Sequence, residues 1–176
     1  MQTTDTTHYQ TLIDNLRYLN LPRLEQALPD YIDRVQKREL SFLEALHALT
    51  SIEVDSKKYN YVTNAIKAAG FPHQKELKDF DFTFQPGVNR SQIYDLATLD
   101  FIERKENIVF MGTPGVGKTH LSVALGVEAA KHRISTYFIK ANDLLARLRK
   151  ARDENRLEHR LRCYTRYRLL IIDELG

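Results

Sequence analysis

Apolar side chains recur at helical spacing through the first third of the chain. The series is renewed after Pro22, and a proline fits the first turn of a helix because its missing N–H would have no intrahelical partner there. Ser41 with Glu44 matches a capping box that opens a third helix. The pattern ends before Gly70, and it predicts an all-helical N-terminal domain over residues 1–72.

The next stretch, residues 73–88, is predicted to be a linker. Phe80, Phe82 and Phe84 alternate with polar residues, so that one face of the stretch is aromatic. Two interpretations are open: the rings pack on the following domain, or they stack on nucleic-acid bases. A helix with an apolar stripe is predicted next, over residues 89–104.

Short apolar runs alternate with helical patterns in the rest of the chain. The predicted strands are 107–111, 135–139 and 169–172. Helices are predicted after the second threonine of GTPGVGKT, from Asn142 as N-cap to about Asn155, and over 156–167. Apolar strands separated by helices are typical of a parallel sheet covered on both faces. We therefore predict an α/β domain with three parallel strands over residues 89–176.

One motif between a predicted strand and a predicted helix carries clear chemistry. Residues 112–119, GTPGVGKT, satisfy the phosphate-loop pattern G-x-x-x-x-G-K-[ST]. Its glycines permit backbone conformations in which successive N–H groups converge on phosphate oxygens. Lys118 is expected to contact the β- and γ-phosphates of ATP and to act in catalysis, and Thr119 to hold Mg²⁺. The predicted ATP-binding residues are Gly112, Thr113, Pro114, Gly115, Val116, Gly117, Lys118, Thr119 and His120, although packing is an alternative role for His120.

The apolar run 169–172 is followed by two acids. The carboxyl end of a strand in an open parallel sheet faces the ligand crevice, so Asp173 is expected to hold Mg²⁺. Glu174 is expected to be the catalytic residue that orients or deprotonates the attacking water.

The net charge of +3 is unevenly distributed along the chain. Residues 147–168 form a basic stretch that contains nine Lys or Arg residues and three acids. A solvated helix face is one interpretation of such a run. The other is a surface that contacts the DNA backbone without sequence preference. The candidate DNA-binding residues are Arg147, Arg149, Lys150, Arg156, Arg160 and Arg162.

Several protein classes are disfavoured by composition. No run approaches the roughly 20 apolar residues that span a bilayer, and the N-terminus lacks the basic and apolar regions of a signal peptide. The single cysteine, Cys163, excludes an intrachain disulfide, and the histidines form no metal-ligand spacing. We expect a cytoplasmic protein with no membrane partner.

Three stretches resemble a known family: KELKDFDFTFQPG, LATLDFIERKENIVFMGTPGVGKTHLSVALG and LLIIDELG. They are similar to the insertion-sequence ATP-binding helpers (IstB-like), which are AAA+ ATPases related to the DnaC-type helicase loaders. The resemblance implies an AAA+ P-loop NTPase sheet preceded by a helical domain. It carries Walker A over to residues 112–119 and Walker B to Asp173 and Glu174.

The resemblance also implies a function: ATP-dependent binding and remodelling of DNA, and stimulation of a partner transposase by a homo-oligomer during insertion-sequence transposition. Alternatives are a DnaC-type helicase loader, a DNA-bound scaffold that uses ATP only for assembly and, less consistent with the Asp-Glu pair, a P-loop kinase. Family members continue past Walker B with a sensor residue and an arginine finger. The chain is therefore expected to be truncated and to hydrolyse ATP weakly by itself.

Overall fold

The computed structural model describes residues 2–85 and 87–175, with side chains from residue 7 onward. Met1, Pro86 and Gly176, which belong to the predicted domains and linker, lie outside the described residues. The chain divides into two compact units, Met1–Tyr61 and Val62–Gly176.

The first unit is built from helices. α1 spans Gln2–Tyr18, α2 spans Pro22–Gln36, and α3 spans Phe42–Ala68, whose last residues belong to the second unit. Pro22 is the first residue of α2, as its missing N–H predicts. The apolar stripes of the helices meet in one cluster, formed by Ile13, Leu16, Leu24, Leu28 and Leu49.

Side-chain carboxylates cap two of these helices. At the start of α3, the backbone N–H of Ser41 donates to Glu44 (2.8 Å) and that of Glu44 donates to the Ser41 hydroxyl (3.3 Å), which confirms the predicted capping box. Within α3, the buried carboxylate of Glu53 accepts from the N–H groups of Arg23 (2.8 Å) and Leu24 (3.0 Å) in the first turn of α2. These N–H groups have no partner inside α2, so Glu53 joins α2 to α3.

The first unit ends at Tyr61, whereas the sequence predicted a domain boundary at residue 72. Ile66 near the end of α3 and Phe71 just after it pack against Val123 and Phe138 of the second unit. Gly70, with φ of 75°, makes the turn that separates these two side chains. Residues 62–72 therefore contribute to the core of the second unit.

The stretch 73–88 is also tied to that unit. It contains a 3₁₀ turn at Leu77–Asp79, and Phe80 is buried in a cluster with Ile93 and Leu121. The ring of Phe82 packs against the same cluster, whereas Phe84 is exposed. The packing interpretation thus holds for two of the three aromatic side chains.

The single helix predicted over residues 89–104 is wrong, because the chain breaks it into two. α4 spans Arg90–Leu96, with Asn89 as its N-cap, and α5 spans Asp100–Glu103. Between them Leu99 adopts a left-handed conformation (φ 67°) with its side chain buried beside Phe101. Burial of this leucine in the core overrides the continuous helical pattern.

The sheet of the second unit has two parallel strands in the described part of the chain. β1 spans Thr136–Lys140 and β2 spans Leu169–Asp173, with Phe138 opposite Ile171 and Lys140 opposite Asp173. Three helices cover it: α6 (Lys118–Lys131), α7 (Ala141–Asp153) and α8 (Leu157–Thr165).

Side chains alternate between the two faces of these strands. Phe138 and Ile171 contact α6 on one face, while Tyr137 meets Tyr164 of α8 and the following Tyr167 on the other. The sheet is therefore covered on both faces, as its apolar runs predicted. α7 begins two residues earlier than expected, so that Lys140 and not Asn142 occupies its N-cap.

The predicted third strand, 107–111, is absent. Ile108 and Phe110 pack into the core, but Val109 and Met111 are exposed. A strand requires a hydrogen-bonded neighbour, and β1 and β2 pair only with each other among the described residues. Apolar alternation alone predicts which side chains face inward, not the backbone pairing.

Candidate phosphate-binding site

The phosphate loop ends where α6 begins. Gly117 is the N-cap of α6, with φ of 90°, a conformation that a residue with a Cβ adopts only under strain. A Cβ at this position would also lie 2.5 Å from the ring of Phe80. Both the backbone and the neighbouring ring therefore require glycine here, and the loop leads directly into the positive N-terminal end of α6.

The lysine of the motif lies across its own loop. The Nζ atom of Lys118 donates to the carbonyl oxygens of Gly112 (2.7 Å) and Thr113 (2.9 Å). An ammonium group prefers charged acceptors to neutral carbonyls. Lys118 is thus held at the loop by groups that a phosphate would outcompete.

Two motif residues that are 54 positions apart meet directly. The hydroxyl of Thr119 donates to Oδ2 of Asp173 at 2.9 Å. This contact arises because β2 ends at the edge of the sheet where α6 starts. The two oxygens are ligands of the kind that Mg²⁺ prefers, so the pair fits this ion.

The second acid has a different partner. Glu174, with φ of 57°, accepts a hydrogen bond of 2.7 Å from Nζ of Lys140 at the end of β1. The hydrogen bond and the charge of Glu174 raise the pKa of Lys140, with smaller contributions from Asp173 and Asp143.

His120 follows Thr119 on α6 and faces the segment before the site. Its Nε2 lies 3.2 Å from the carbonyl oxygen of Glu76, and its ring meets that of Phe80 edge-on at 5.2 Å. The carboxylate of Glu76 contacts Lys131 on the last turn of α6 (3.1 Å). His120 has these packing contacts, and its role toward a nucleotide stays a prediction.

The basic stretch separates into paired and unpaired cations. Arg147 donates to the Tyr137 hydroxyl (2.9 Å), Arg156 pairs with Glu154, and Arg162 lies 3.4 Å from Glu158. The carboxylate of Glu154 has a lowered pKa, chiefly through its hydrogen bond with Arg156. The exposed candidates whose side chains make no ion pair or hydrogen bond with the described residues are Arg149, Lys150 and Arg160.

Clustered metal ligands and membrane-spanning helices are both missing from the described residues. Among residues 2–85 and 87–175, no group of three or more His, Cys, Asp or Glu side chains is arranged to hold a metal ion. Over the same residues, no helix combines the length and apolarity that crossing a bilayer requires.

Comparison with known proteins matches the sequence to a family. Residues 14–176 match the model of the IstB-like ATP binding protein family. The chain belongs to this family. It shares 52% identity over 168 residues with a protein of insertion sequence IS232 from Bacillus thuringiensis subsp. berliner that is described as ATP-binding.

Two other relatives at 40% identity are likewise described as ATP-binding proteins of insertion sequences. One is from IS5376 of Geobacillus stearothermophilus and one from IS21 of Pseudomonas aeruginosa, with matches over 158 and 163 residues. The three matches take in 96, 90 and 92% of this chain. In turn, the chain spans 67, 63 and 61% of the length of these relatives.

Sequence reasoning misses two neighbours of the site. The motifs assign no role to Lys140, although it ends the strand beside β2 and so lies opposite Asp173. Phe80 stands out only as an aromatic side chain of a linker, and its contact with Gly117 has no sequence signal. The signal for Lys140 is available in principle, because a charged residue at the end of a parallel strand faces the ligand edge of the sheet.

Proposed function

We propose that this chain binds Mg²⁺-ATP at residues 112–119, hydrolyses it, and acts in the cytoplasm as an AAA+ regulator of insertion-sequence transposition. The contact between Thr119 and Asp173 carries the nucleotide part of this proposal. It joins the end of the phosphate loop to the strand that ends in the Asp-Glu pair, which is the arrangement P-loop ATPases require.

ATP binding follows from the loop and the helix behind it. The N–H groups of residues 112–119 other than Pro114 and the N-terminal end of α6 receive the phosphates. Lys118 exchanges its carbonyl partners for phosphate oxygens. Thr119 and Asp173 would hold Mg²⁺, and the ion would supply positive charge beside the phosphates.

Hydrolysis requires a proton acceptor close to the γ-phosphate. The oxygen of a water molecule forms a bond to the γ-phosphorus while the bond to the bridging oxygen of ADP breaks, and the carboxylate of Glu174 takes the proton of the water. ADP and phosphate are the products. Lys118 stabilises the negative charge of the transferring group.

The three unpaired cations support DNA binding. Arg149 and Lys150 lie on α7 and Arg160 lies on α8. All three are exposed and none is neutralised by an ion pair with a described residue. Such groups bind phosphate oxygens of any sequence, with release of counterions. The remaining candidates have protein partners, so we assign them a smaller share of DNA binding.

The relatives connect this chemistry to transposition. All three reported relatives are described as products of insertion sequences. We assign to this chain the same insertion-sequence setting. We further propose that its homo-oligomers, bound to DNA and ATP, remodel the DNA and stimulate a partner transposase. A helicase loader would use the same ATP site with a helicase as its partner.

The test combines assembly and turnover. The mass of the protein in solution is measured by light scattering alone, with ATP, with duplex DNA, and with both, and ATP turnover is measured in parallel. We expect larger assemblies only with both ligands and turnover that Glu174→Gln abolishes. Glu158→Gln, which changes an exposed glutamate of the basic stretch, is the matched control and keeps turnover.

Three results would contradict the proposal. Assembly that is the same with and without the two ligands argues against the DNA regulator. Turnover that survives in Glu174→Gln removes Glu174 as the proton acceptor. Assembly without any turnover by the wild type favours a scaffold for which ATP is only an assembly ligand. Co-purification with a transposase or with a helicase distinguishes the two partners.

A further inference from the structure

A short segment that precedes the phosphate loop in the chain packs on the helix that follows the loop. The carboxylate of Glu76 contacts Nζ of Lys131 in the last turn of α6 at 3.1 Å. The carbonyl oxygen of Glu76 lies 3.2 Å from Nε2 of His120 in the first turn of α6. The ring of Phe80 packs against Gly117, the N-cap of the same helix. The segment is therefore attached to both ends of α6.

Contacts outside the phosphate loop fix the ring of Phe80. The N–H of Phe80 donates to the carbonyl oxygen of Leu77 at 3.2 Å, which closes the turn that carries the ring. The ring is 8% exposed, and it meets the rings of His120 and Phe82 edge-on, with centroid distances of 5.2 and 4.9 Å. Its position is thus set by the core of the second unit.

Gly117 has no comparable restraint of its own. A glycine populates positive and negative φ about equally, and Gly117 needs a φ of 90° to end the loop and start α6. A Cβ at Gly117 would lie 2.5 Å from Cε2 and 3.2 Å from Cζ of Phe80. The ring edge thus fills the space beside the Cα atom of Gly117, where it restricts rotation of the glycine backbone.

We propose that Phe80 is a positioning residue for nucleotide binding, whose ring holds Gly117 in its left-handed conformation and thereby keeps the N–H groups of the phosphate loop converged for a triphosphate. The inference rests on the proposed function, because it needs ATP to bind at residues 112–119. In this role the ring acts through the loop and makes no contact with the nucleotide.

The freedom of an unrestrained glycine sets the size of the effect. A loop that adopts its binding conformation for only part of the time has an affinity reduced by that fraction. Without the ring, Gly117 would divide its time between positive and negative φ, so we expect a loss of about three- to tenfold in affinity. The loss should be equal for ATP and for inorganic triphosphate, because both ligands require the same loop conformation.

The experiment measures the Kd of the whole chain for fluorescent ATP directly and for inorganic triphosphate by competition. Phe80→Leu removes the ring edge beside Gly117, and Phe80→Met, which fills more of the space, is the second variant in case the first does not fold. Phe101→Leu is the matched control, because Phe101 is 6% exposed and packs with Ala129 near the other end of α6. Thermal unfolding of each protein is measured in parallel.

We expect Phe80→Leu to raise both Kd values by about three- to tenfold and Phe80→Met to raise both by a smaller common factor. Phe101→Leu should lower the melting temperature as Phe80→Leu does, but it should keep both Kd values of the wild type. This contrast matters because a ring that only stabilised the core would change the melting temperature and not the affinity of the folded protein.

Other outcomes overturn the inference. Wild-type Kd values in Phe80→Leu, or in Phe80→Met if only that variant folds, remove the positioning role and leave the nucleotide site in place. A loss for ATP alone means that the ring contacts the nucleoside, and an equal loss in Phe101→Leu means general destabilisation. Failure of both Phe80 variants to fold assigns the ring to the core alone.

Failure of the proposed function gives a separate result. A wild-type chain that binds neither fluorescent ATP nor inorganic triphosphate removes the nucleotide site itself, and the role of Phe80 with it. Binding of both ligands by the wild type supports the site whatever the variants show.

Discussion

The phosphate loop and the basic stretch are both conspicuous in the sequence, but their side chains have different kinds of contact in the structure. Thr119, at the end of the phosphate loop, contacts Asp173, which lies 54 positions later in the chain. The cations of residues 147–168 do not converge in this way. Arg147, Arg156 and Arg162 contact neighbours within the stretch or on β1.

The difference lies in what each pattern specifies. Glycines and the lysine of a phosphate loop prescribe backbone conformation, and that conformation brings N–H groups together whatever surrounds it. A run of charges prescribes only solubility and local potential. Which cations remain available to a partner depends on the acids and hydroxyls that the fold brings beside them. Four experiments test whether the two regions differ in this way.

The largest effect is expected at the loop. Lys118→Ala should weaken ATP binding by about 100-fold, because a charge-assisted hydrogen bond contributes up to about 3 kcal/mol. Binding of fluorescent ATP measures the loss. Lys67→Ala, an exposed lysine of α3, is the control and should bind as the wild type does. Equal affinity in Lys118→Ala would remove the loop from the site.

A smaller effect is expected at the strand end. Asp173→Asn should weaken ATP binding by about tenfold in Mg²⁺, since one metal-binding charge is removed, and the two proteins should differ little in EDTA. Calorimetry with and without the ion measures this. Asp153→Asn makes the same change within the basic stretch, where the carboxylate pairs with Arg152. If both variants respond alike, Asp173 is not a ligand of the metal.

The unpaired cations should matter next. Replacement of Arg149, Lys150 and Arg160 by alanine should weaken duplex DNA binding by about five- to tenfold and reduce the salt slope by about 0.9 for each phosphate that is no longer neutralised. Fluorescence anisotropy over a salt series measures both. A matched triple replaces the paired cations Arg152, Arg156 and Arg162. An equal loss of affinity in the two triples would show that total charge, not pairing, governs binding.

The smallest effect is expected from release of a paired cation. Glu154→Gln frees Arg156 and should strengthen DNA binding by less than about twofold, as expected of an exposed ion pair. The same anisotropy assay measures it, with Asp95→Asn on α4 as the control. A decrease in affinity would contradict the idea that Glu154 withholds Arg156 from DNA.

Much of the site was predictable from the sequence, because its parts are set by local rules. Strand β2 is apolar throughout and ends at Asp173, and the helix after the loop begins at Lys118. The capping box of Ser41 was equally local. The absence of the strand expected at 107–111 was not predictable in this way. A strand depends on neighbouring strands that the segment itself does not specify.

The break at Leu99 and the partner of Glu174 were unpredictable for a related reason. Leu99 sits in a left-handed turn because its side chain is buried, a tertiary effect that helical periodicity does not contain. The hydrogen bond from Lys140 depends on the register of β1 against β2. Neither feature has a signature within a few residues of the chain.

Gly126, in the middle of α6, sets the separation between that helix and the sheet. A Cβ there would lie 2.7 Å from Ile171 Cδ1 and 2.7 Å from the ring of Phe71. α6 begins at Lys118, and Ile171 is two residues before Asp173. The close approach of α6 to β2 at Gly126 therefore sets the distance between Lys118 and Asp173. A side chain added at Gly126 would push α6 away from β2 and displace Lys118 relative to Asp173.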